Sequence, residues 1–149
     1  MNDLTVLITK LRNKEFIYSA LERSGRLVEA EAKKKCPSVY AILKGSISHH
    51  REGNVEHIGT NNPYAMYVEY GTGIHAKNGN GRKTPWAYIV RGAYAEKYWS
   101  PEKKNCFMDA EGNKWIRTRG QKPQPYLENA LKENAKKIYE IFGEEFKGV

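Results

Sequence analysis

The chain has 149 residues and a formal net charge of +8, with 40% hydrophobic and 28% charged residues. No apolar run approaches the roughly 18 residues of a membrane-spanning helix. The N-terminus lacks a signal-peptide pattern, and two cysteines are too few for a disulfide framework. We therefore expect a single domain over residues 1–149, synthesised in the cytoplasm, with a modest core.

The first part of the chain predicts a helix followed by a β-hairpin. Apolar residues recur at helical spacing from Asn13 to about Lys35, and Pro37 prevents the helix from continuing. Imperfect alternation predicts strands at Ala41–His50 and Asn54–Thr60. The glycine and asparagine between them favour a tight turn, so the strands are expected to be antiparallel.

The middle of the chain begins with an aromatic segment. Asn62 and Pro63 favour a short helix in which Tyr64, Tyr67 and Val68 share one packed face. A strand is the alternative, because tyrosine and valine are common in sheets. The segments that follow are predicted as a loop at Ile74–Pro85, a strand at Trp86–Val90, an irregular stretch at Gly92–Asn105 and a hairpin of Cys106–Asp109 with Lys114–Thr118.

The C-terminal segment has the strongest helical pattern. One helix is predicted over Tyr126–Phe146, starting after Pro125 at a position that proline permits. Leu127 and Leu131 belong to its apolar stripe, so Leu131→Ala is expected to cost a few kcal/mol and Pro125→Ala little. The whole pattern indicates an α+β fold: an antiparallel β-sheet packed against an N-terminal helix and a long C-terminal helix, with a long basic loop and hairpin excursion.

Positive charge is concentrated in Ile74–Lys122, which holds eleven basic and four acidic residues. A localised positive field favours a polyanion or an acidic protein as partner, although solvated surface charge would give the same composition. Basic and aromatic residues also interleave over Trp86–Arg119, as on surfaces that stack single-stranded nucleic acid. The candidate residues facing DNA or a partner are Lys77, Arg82, Lys83, Arg91, Lys103 and Lys104.

No pattern predicts a catalytic, cofactor or metal site. His49 and His50 are neighbours on a predicted strand and should point to opposite faces, so that His57 can face only one of them across the hairpin. The glycine-rich stretches lack the spacing of a phosphate-binding loop. Glu69 is interpreted as a structural acid, paired for example with Arg119. We expect a protein that is not an enzyme and binds no cofactor.

Two motifs carry a resemblance to a known family. The first reads NPYAMYVEYGTG over Asn62–Gly73, and the second reads RGQKPQPYLENAL over Arg119–Leu131. Together with LKGSI at Leu43–Ile47, in this order, they resemble the tail-component proteins of lambda-like long-tailed bacteriophages. The segment Ile74–Asn113 departs from the shorter family pattern. The residues that define the two motifs are Tyr64, Tyr67, Glu69, Gly71, Gly73, Gly120, Pro123, Pro125, Leu127 and Leu131.

The resemblance implies one tail-component-like domain with a structural role in the virion of a phage or prophage. Such proteins act in tail completion or head–tail joining, at the neck or the head-proximal end of the tail, as a homo-oligomeric ring around the DNA channel. The implied partners are other neck and tail proteins, such as the tail tube or connector, with non-specific contact to DNA and no membrane. The competing interpretations are a non-specific nucleic-acid-binding protein and a small prophage enzyme such as a nuclease.

Overall fold

The computed structural model describes residues 4–6, 8–9, 14–38 and 41–147. The fold is α+β, as predicted, with two small antiparallel sheets, a long N-terminal helix and a helical C-terminus. Residues 4–6 and 8–9 are helical. The labelled elements are α1 (Glu15–Lys35), α2 (Ala41–Ser46), β1 (Ser48–Glu52), β2 (Val55–Gly59), α3 (Ala65–Tyr70), β3 (Trp86–Val90), α4 (Gly92–Tyr98), β4 (Cys106–Met108), β5 (Lys114–Thr118), α5 (Tyr126–Glu133) and α6 (Ala135–Lys147).

The chain divides into two compact units. Unit 1 comprises residues 1–65 and 125–149, and unit 2 comprises residues 66–124. The expectation of one family-like domain over residues 1–149 stays a prediction. In the part of the chain that the structure describes, no helix is both long and apolar enough to cross a membrane.

Helix α1 is the centre of unit 1, and its predicted bounds are confirmed within two residues. One side of α1 contacts the hairpin: the Arg51 guanidinium lies 4.1 Å from the Tyr18 ring centre, and the His49 N–H donates to Glu29 over 3.1 Å. Its other side contacts the C-terminal helices, where Arg23 bonds to both Glu144 and Glu145 at 2.7 Å. The buried positions along α1 are Ala20, Ser24, Gly25, Val28 and Ala32.

The predicted hairpin is confirmed, but its first strand begins later than the sequence suggests. Strands β1 and β2 pair in antiparallel register, and Gly53 supplies the positive φ of +59° in the turn. The prediction of a strand from Ala41 is wrong, because Ala41–Ser46 forms α2. Leu43 and Ile47 are buried four residues apart, whereas Ile42 is 83% exposed. The helical spacing of the buried residues, and not the imperfect alternation, therefore matches the secondary structure of this segment.

The prediction of one continuous C-terminal helix is also wrong, because Asn134 separates α5 from α6. The Asn134 side chain is buried and donates a 2.8 Å bond to the carbonyl of Ala130. Asparagine competes for backbone hydrogen bonds in this way and weakens a helix locally. Leu131 is 52% exposed, so its predicted core role is wrong. Tyr126 and Ala130, at 1% and 0% exposure, are buried instead.

Unit 2 is built on a three-stranded antiparallel sheet in the order β3–β5–β4. The predicted strand at Trp86–Val90 and the hairpin after it are confirmed. The prediction of an irregular Gly92–Asn105 is wrong where α4 forms. A segment of seven residues is too short to show helical periodicity in the sequence. Helix α4 forms because of its tertiary packing. Its Ala95 packs with Val90 and Ile116 in a core flanked by Tyr98, Trp99 and Cys106.

Asp109 organises the turn between β4 and β5. Its carboxylate accepts hydrogen bonds from the Trp115 indole N–H at 2.8 Å and from the Asn113 side chain at 3.0 Å. These bonds lower the pKa of Asp109 from its usual 3.8 to about 2, and the bond from the Trp115 indole has the largest effect. Because the folded pKa is depressed, the stabilisation is present above the unfolded pKa and is lost as pH falls through the folded value.

We therefore expect Asp109→Asn to destabilise unit 2 at neutral pH, with a difference from the wild type that shrinks between about pH 4 and pH 2. Urea unfolding followed by tryptophan fluorescence at several pH values measures this difference. Glu140→Gln removes the same charge from an exposed side chain of unit 1 and serves as the control. A difference that does not change with pH would contradict a role for the charged carboxylate.

Candidate interaction site

The first motif forms α3 and the turn that ends it. Asn62 begins this region by accepting a 2.9 Å hydrogen bond from the Tyr64 backbone N–H, and the predicted short helix is confirmed. The prediction that Tyr64 and Tyr67 share a packed face with Val68 is wrong. Val68 is buried, at 1% exposure, whereas the large side chains around it are exposed: Tyr64 63%, Met66 66%, Tyr67 53% and Tyr70 45%.

Glu69 is the second buried side chain of α3, at 4% exposure. A buried carboxyl group in a short helix must be paired or hydrogen-bonded to be tolerated. This agrees with the interpretation of Glu69 as a structural acid. Its ion pair with Arg119 stays a prediction.

The second motif runs beside the first inside unit 2. The Thr72 N–H donates to the carbonyl of Gln121 at 2.9 Å, and the Gln121 N–H returns a 3.0 Å bond to the Thr72 hydroxyl. The Ile74 N–H donates to the carbonyl of Arg119 at 3.0 Å. The Gln121 side chain donates to the carbonyl of Tyr67 at 2.7 Å. We call this contact between residues 71–74 and 119–124 the junction.

Three glycines make the junction this close. Gly71, Gly73 and Gly120 have φ values of +72°, +61° and +116°, which side-chain-bearing residues rarely adopt. A Cβ on Gly73 would overlap the carbonyl of Arg119, and one on Gly120 would overlap the carbonyl of Thr72. A Cβ on Gly71 would lie 2.8 Å from Pro123. The sequence motifs thus identified the glycines and the proline, but not their mutual contact.

A cleft of about 560 Å³ opens beside the junction, within unit 2. Its lining is mostly aromatic and apolar, and we call the part formed by Gly73 and Gly81 the floor. A Cβ on Gly81 would overlap the carbonyl of Gly73, so the floor has no room for a side chain there. The residues that line the cleft are Met66, Tyr67, Tyr70, Gly71, Thr72, Gly73, Ala76, Lys77, Asn78, Asn80, Gly81, Arg82 and Trp86.

The structure gathers only part of the predicted basic set around this cleft. Lys77 and Arg82 line it, and the adjacent Lys83 donates a 2.7 Å bond to the carbonyl of Gly79. Arg91 lines a separate pocket beside α4. The remaining two lie at the turn after α4, where Lys103 donates to the carbonyl of Tyr98 at 2.8 Å and Lys104 is exposed.

The basic side chains of unit 2 lie repeatedly over aromatic rings. Unit 2 holds eleven basic and five acidic residues, a net charge of +6, against +2 for unit 1. A ring stabilises a cation without neutralising it, so the positive field of unit 2 persists. Four pairs have their charged atom 4.9–5.5 Å from the ring centre: Arg82 with Trp86, Lys97 with Tyr98, Lys114 with Trp99 and Arg117 with Phe107.

The histidines belong to the hairpin of unit 1. His57 faces His50 across the strands, with stacked rings 5.0 Å apart. His49 points the other way, towards α1, and its ring nitrogen lies 2.5 Å from a Glu56 carboxylate oxygen. The predicted opposite orientation of His49 and His50 is confirmed. Among the residues that the structure describes, no three His, Cys, Asp or Glu side chains are grouped to hold a metal ion.

The last residues of the second motif belong to unit 1. Pro125 directly precedes α5, so the predicted start of this helix is confirmed. Leu127 is half-buried on the first turn of α5, and Leu131 on the second turn is exposed.

No protein-family model, curated protein or solved structure matches this chain. The resemblance to phage tail-component proteins therefore rests on the two motifs and stays a prediction.

Proposed function

We propose that this chain is a structural virion protein of a long-tailed bacteriophage or prophage. It acts at the neck or the head-proximal tail end, in tail completion or head–tail joining, as a ring around the DNA channel. The observation that carries the proposal is the junction. The two motifs on which the family resemblance rests are far apart in sequence, yet hydrogen bonds between Thr72 and Gln121 join them directly.

The junction supports an assembly role for a physical reason. An assembly subunit needs a stiff framework that presents apolar side chains to a neighbour. The junction glycines, which leave no room for a side chain, provide the stiff framework. The exposed Met66, Tyr67 and Tyr70 provide the apolar contact surface. Tyrosine and methionine exposed together are typical of protein–protein contact surfaces.

Particles of the phage whose genome encodes the chain test this proposal. An antibody against the chain should label the head–tail junction in electron micrographs. Deletion of the gene should leave DNA-filled heads and separate tails, and expression of the gene from a plasmid should restore joined particles. Normal joined particles from the deletion strain, or wild-type particles without label at the head–tail junction, would overturn the proposal.

Non-specific nucleic-acid binding is the second candidate function, favoured by the net charge of +6 on unit 2 and its cations over aromatic rings. Each lysine or arginine that neutralises a phosphate releases counterions. The logarithm of the binding constant then falls by about 0.9 per contact for each tenfold rise in salt on duplex DNA. A binding constant independent of salt would exclude this function.

Replacing Lys77, Arg82 and Lys83 together by glutamine is expected to weaken DNA binding and reduce the salt slope by up to about 2.7. The melting temperature should stay nearly the same, since Lys77, Arg82 and Lys83 are exposed. Fluorescence anisotropy with a labelled duplex over a salt series measures the slope. Its control carries the same charge change on exposed lysines of unit 1, as Lys132, Lys136 and Lys137 to glutamine. Equal losses in both variants would show that only net charge matters.

A further inference from the structure

We propose that the cleft of unit 2 is a docking site for an acidic segment of another protein, anchored by an aromatic side chain. Such a docking site deepens the proposed assembly function. Only the identity of the partner, a virion protein, rests on that proposed function. The chemistry of the site is argued from unit 2 alone. Three observations carry it: the composition of the walls, the charge at the rim and the construction of the floor.

The walls have the composition of a protein-binding hot spot. Tyr67, Tyr70 and Trp86 supply three aromatic side chains, Met66 an adaptable apolar one and Arg82 a guanidinium group. Tyrosine, tryptophan and arginine are enriched where protein partners bind most strongly, and methionine is enriched in interfaces generally. Met66 and Tyr67 are more than half exposed, which costs free energy unless a partner covers them. The volume of about 560 Å³ suits an aromatic anchor with its neighbouring backbone.

Arg82 in the lining and its neighbour Lys83 form what we call the rim, and their positive charge selects an acidic occupant. Arg82 lies 5.5 Å from the Trp86 ring centre and donates a 3.1 Å bond to the Thr84 hydroxyl. Next to it, Lys83 donates to the carbonyl of Gly79. These contacts involve a ring, a hydroxyl and a carbonyl, so they leave the positive charges uncompensated. A carboxylate of an incoming segment would form charge-assisted hydrogen bonds with them. The aromatic residues of the lining add stacking surface for a phenyl or phenol ring.

The floor is preformed, so binding needs little ordering of the site. The Lys77 N–H donates to the carbonyl of Tyr70 at 2.8 Å, which ties the loop after α3 back to the helix. A Cβ on Gly81 would overlap the carbonyl of Gly73, so position 81 has no room for a side chain. A site whose shape is fixed before binding loses less conformational entropy when a ligand arrives.

Short synthetic peptides test this chemistry directly on the full chain. The probes are Glu-Glu-Phe-Glu-Glu, Glu-Glu-Ala-Glu-Glu and Lys-Lys-Phe-Lys-Lys, each added to ¹⁵N-labelled protein. The first probe should shift the Trp86 indole resonance and the backbone amides of Thr72 and Gly81. It should also bind at least about tenfold more tightly than the other two, since each missing contact costs a kcal/mol or more. Equal binding of the three probes, or shifts that avoid the cleft, would overturn the proposal.

Two pairs of variants separate the cleft from general surface effects. Tyr70→Ala should abolish the shifts, whereas Tyr139→Ala, which removes a 79% exposed tyrosine from unit 1, should not. Arg82→Gln should weaken binding of the acidic probe, and Arg91→Gln should leave it nearly unchanged, although both remove one positive charge from unit 2. Equal effects within either pair would contradict a site in this cleft.

Other occupants give different results in the same experiments. If a second copy of the chain fills the cleft, sedimentation will show self-association that Tyr70→Ala abolishes, and the proposal fails. If single-stranded DNA fills it, a thymidine decamer will shift the Trp86 resonance at lower concentration than the acidic peptide, and the proposal also fails. Because these assays need no phage particles, a negative particle-labelling result leaves their outcome unaffected. Loss of peptide binding likewise leaves the head–tail assignment to be tested on its own.

Discussion

Replacing Gly73 by alanine is expected to destabilise unit 2 by about 2–4 kcal/mol. Part of the cost is the left-handed backbone, since φ is +61° and a side chain there costs about 1 kcal/mol or more. The rest comes from overpacking, because the new Cβ would overlap the Arg119 carbonyl, and crowding of this kind costs about 1–3 kcal/mol. The junction must open to accommodate it, which strains the Ile74-to-Arg119 hydrogen bond.

The other glycines of this region supply a graded control. Gly79 has a φ of +70° but no atom near its missing Cβ, so Gly79→Ala should cost only about 1 kcal/mol. Gly71, whose Cβ would meet Pro123 at 2.8 Å, should lie between the two. The expected order of destabilisation is therefore Gly79, Gly71, Gly73. This order separates the effect of backbone angle from the effect of close approach.

Tryptophan fluorescence is the appropriate measurement because all three tryptophans, Trp86, Trp99 and Trp115, lie in unit 2. Urea unfolding followed at this signal reports unit 2. Equal midpoints for the Gly73 and Gly79 variants would show that the junction does not limit the stability of unit 2. The peptide probes then add a functional measurement, since a displaced Gly73 changes the floor of the cleft.

The sequence patterns predicted secondary structure best where they were local and strong. Helix α1 and the strands β2, β3 and β5 were predicted because apolar spacing and turn residues agree within each segment. The three junction glycines were identified because they belong to the two sequence motifs. Their function in the fold could not be predicted, since nothing in a motif tells which distant backbone segment will approach it. Only the structure shows that Thr72 meets Gln121.

The failures have a common physical cause, which is that tertiary contacts overrode a local pattern. The segment at Ile42 alternates like a strand, but burial of Leu43 and Ile47 makes it helical. The short helix α4 is determined by the packing of Ala95 against Val90, which lies outside its own sequence. The cleft was missed for a related reason. Its walls come from α3, a glycine-rich loop and the start of β3, and Gly81 carries no signal that separates it from an ordinary loop glycine.

Burial along the C-terminal helices was also predicted incorrectly from the local pattern. The observed burial leads to the second large expected effect. Leu131 belongs to the predicted apolar stripe and Tyr126 does not, yet Leu131 is 52% exposed and Tyr126 only 1%. The buried positions Tyr126, Ala130 and Asn134 recur every four residues, one position before Leu127 and Leu131, so the buried face lies beside the predicted stripe. We therefore expect Tyr126→Ala to cost about 3–5 kcal/mol, as truncation of a large buried aromatic side chain does.

Leu131→Ala is the matched control, because it truncates an apolar side chain on the same helix and should cost less than about 1 kcal/mol. Far-ultraviolet circular dichroism follows unit 1, which contains α1, α5 and α6, while tryptophan fluorescence follows unit 2. Since a domain is stable by only about 5–15 kcal/mol, Tyr126→Ala should remove a large part of the stability of unit 1. If Leu131→Ala instead cost as much as Tyr126→Ala, Leu131 would have to be covered in solution. Burial between copies of the chain would cause this, and it would make the midpoint depend on protein concentration.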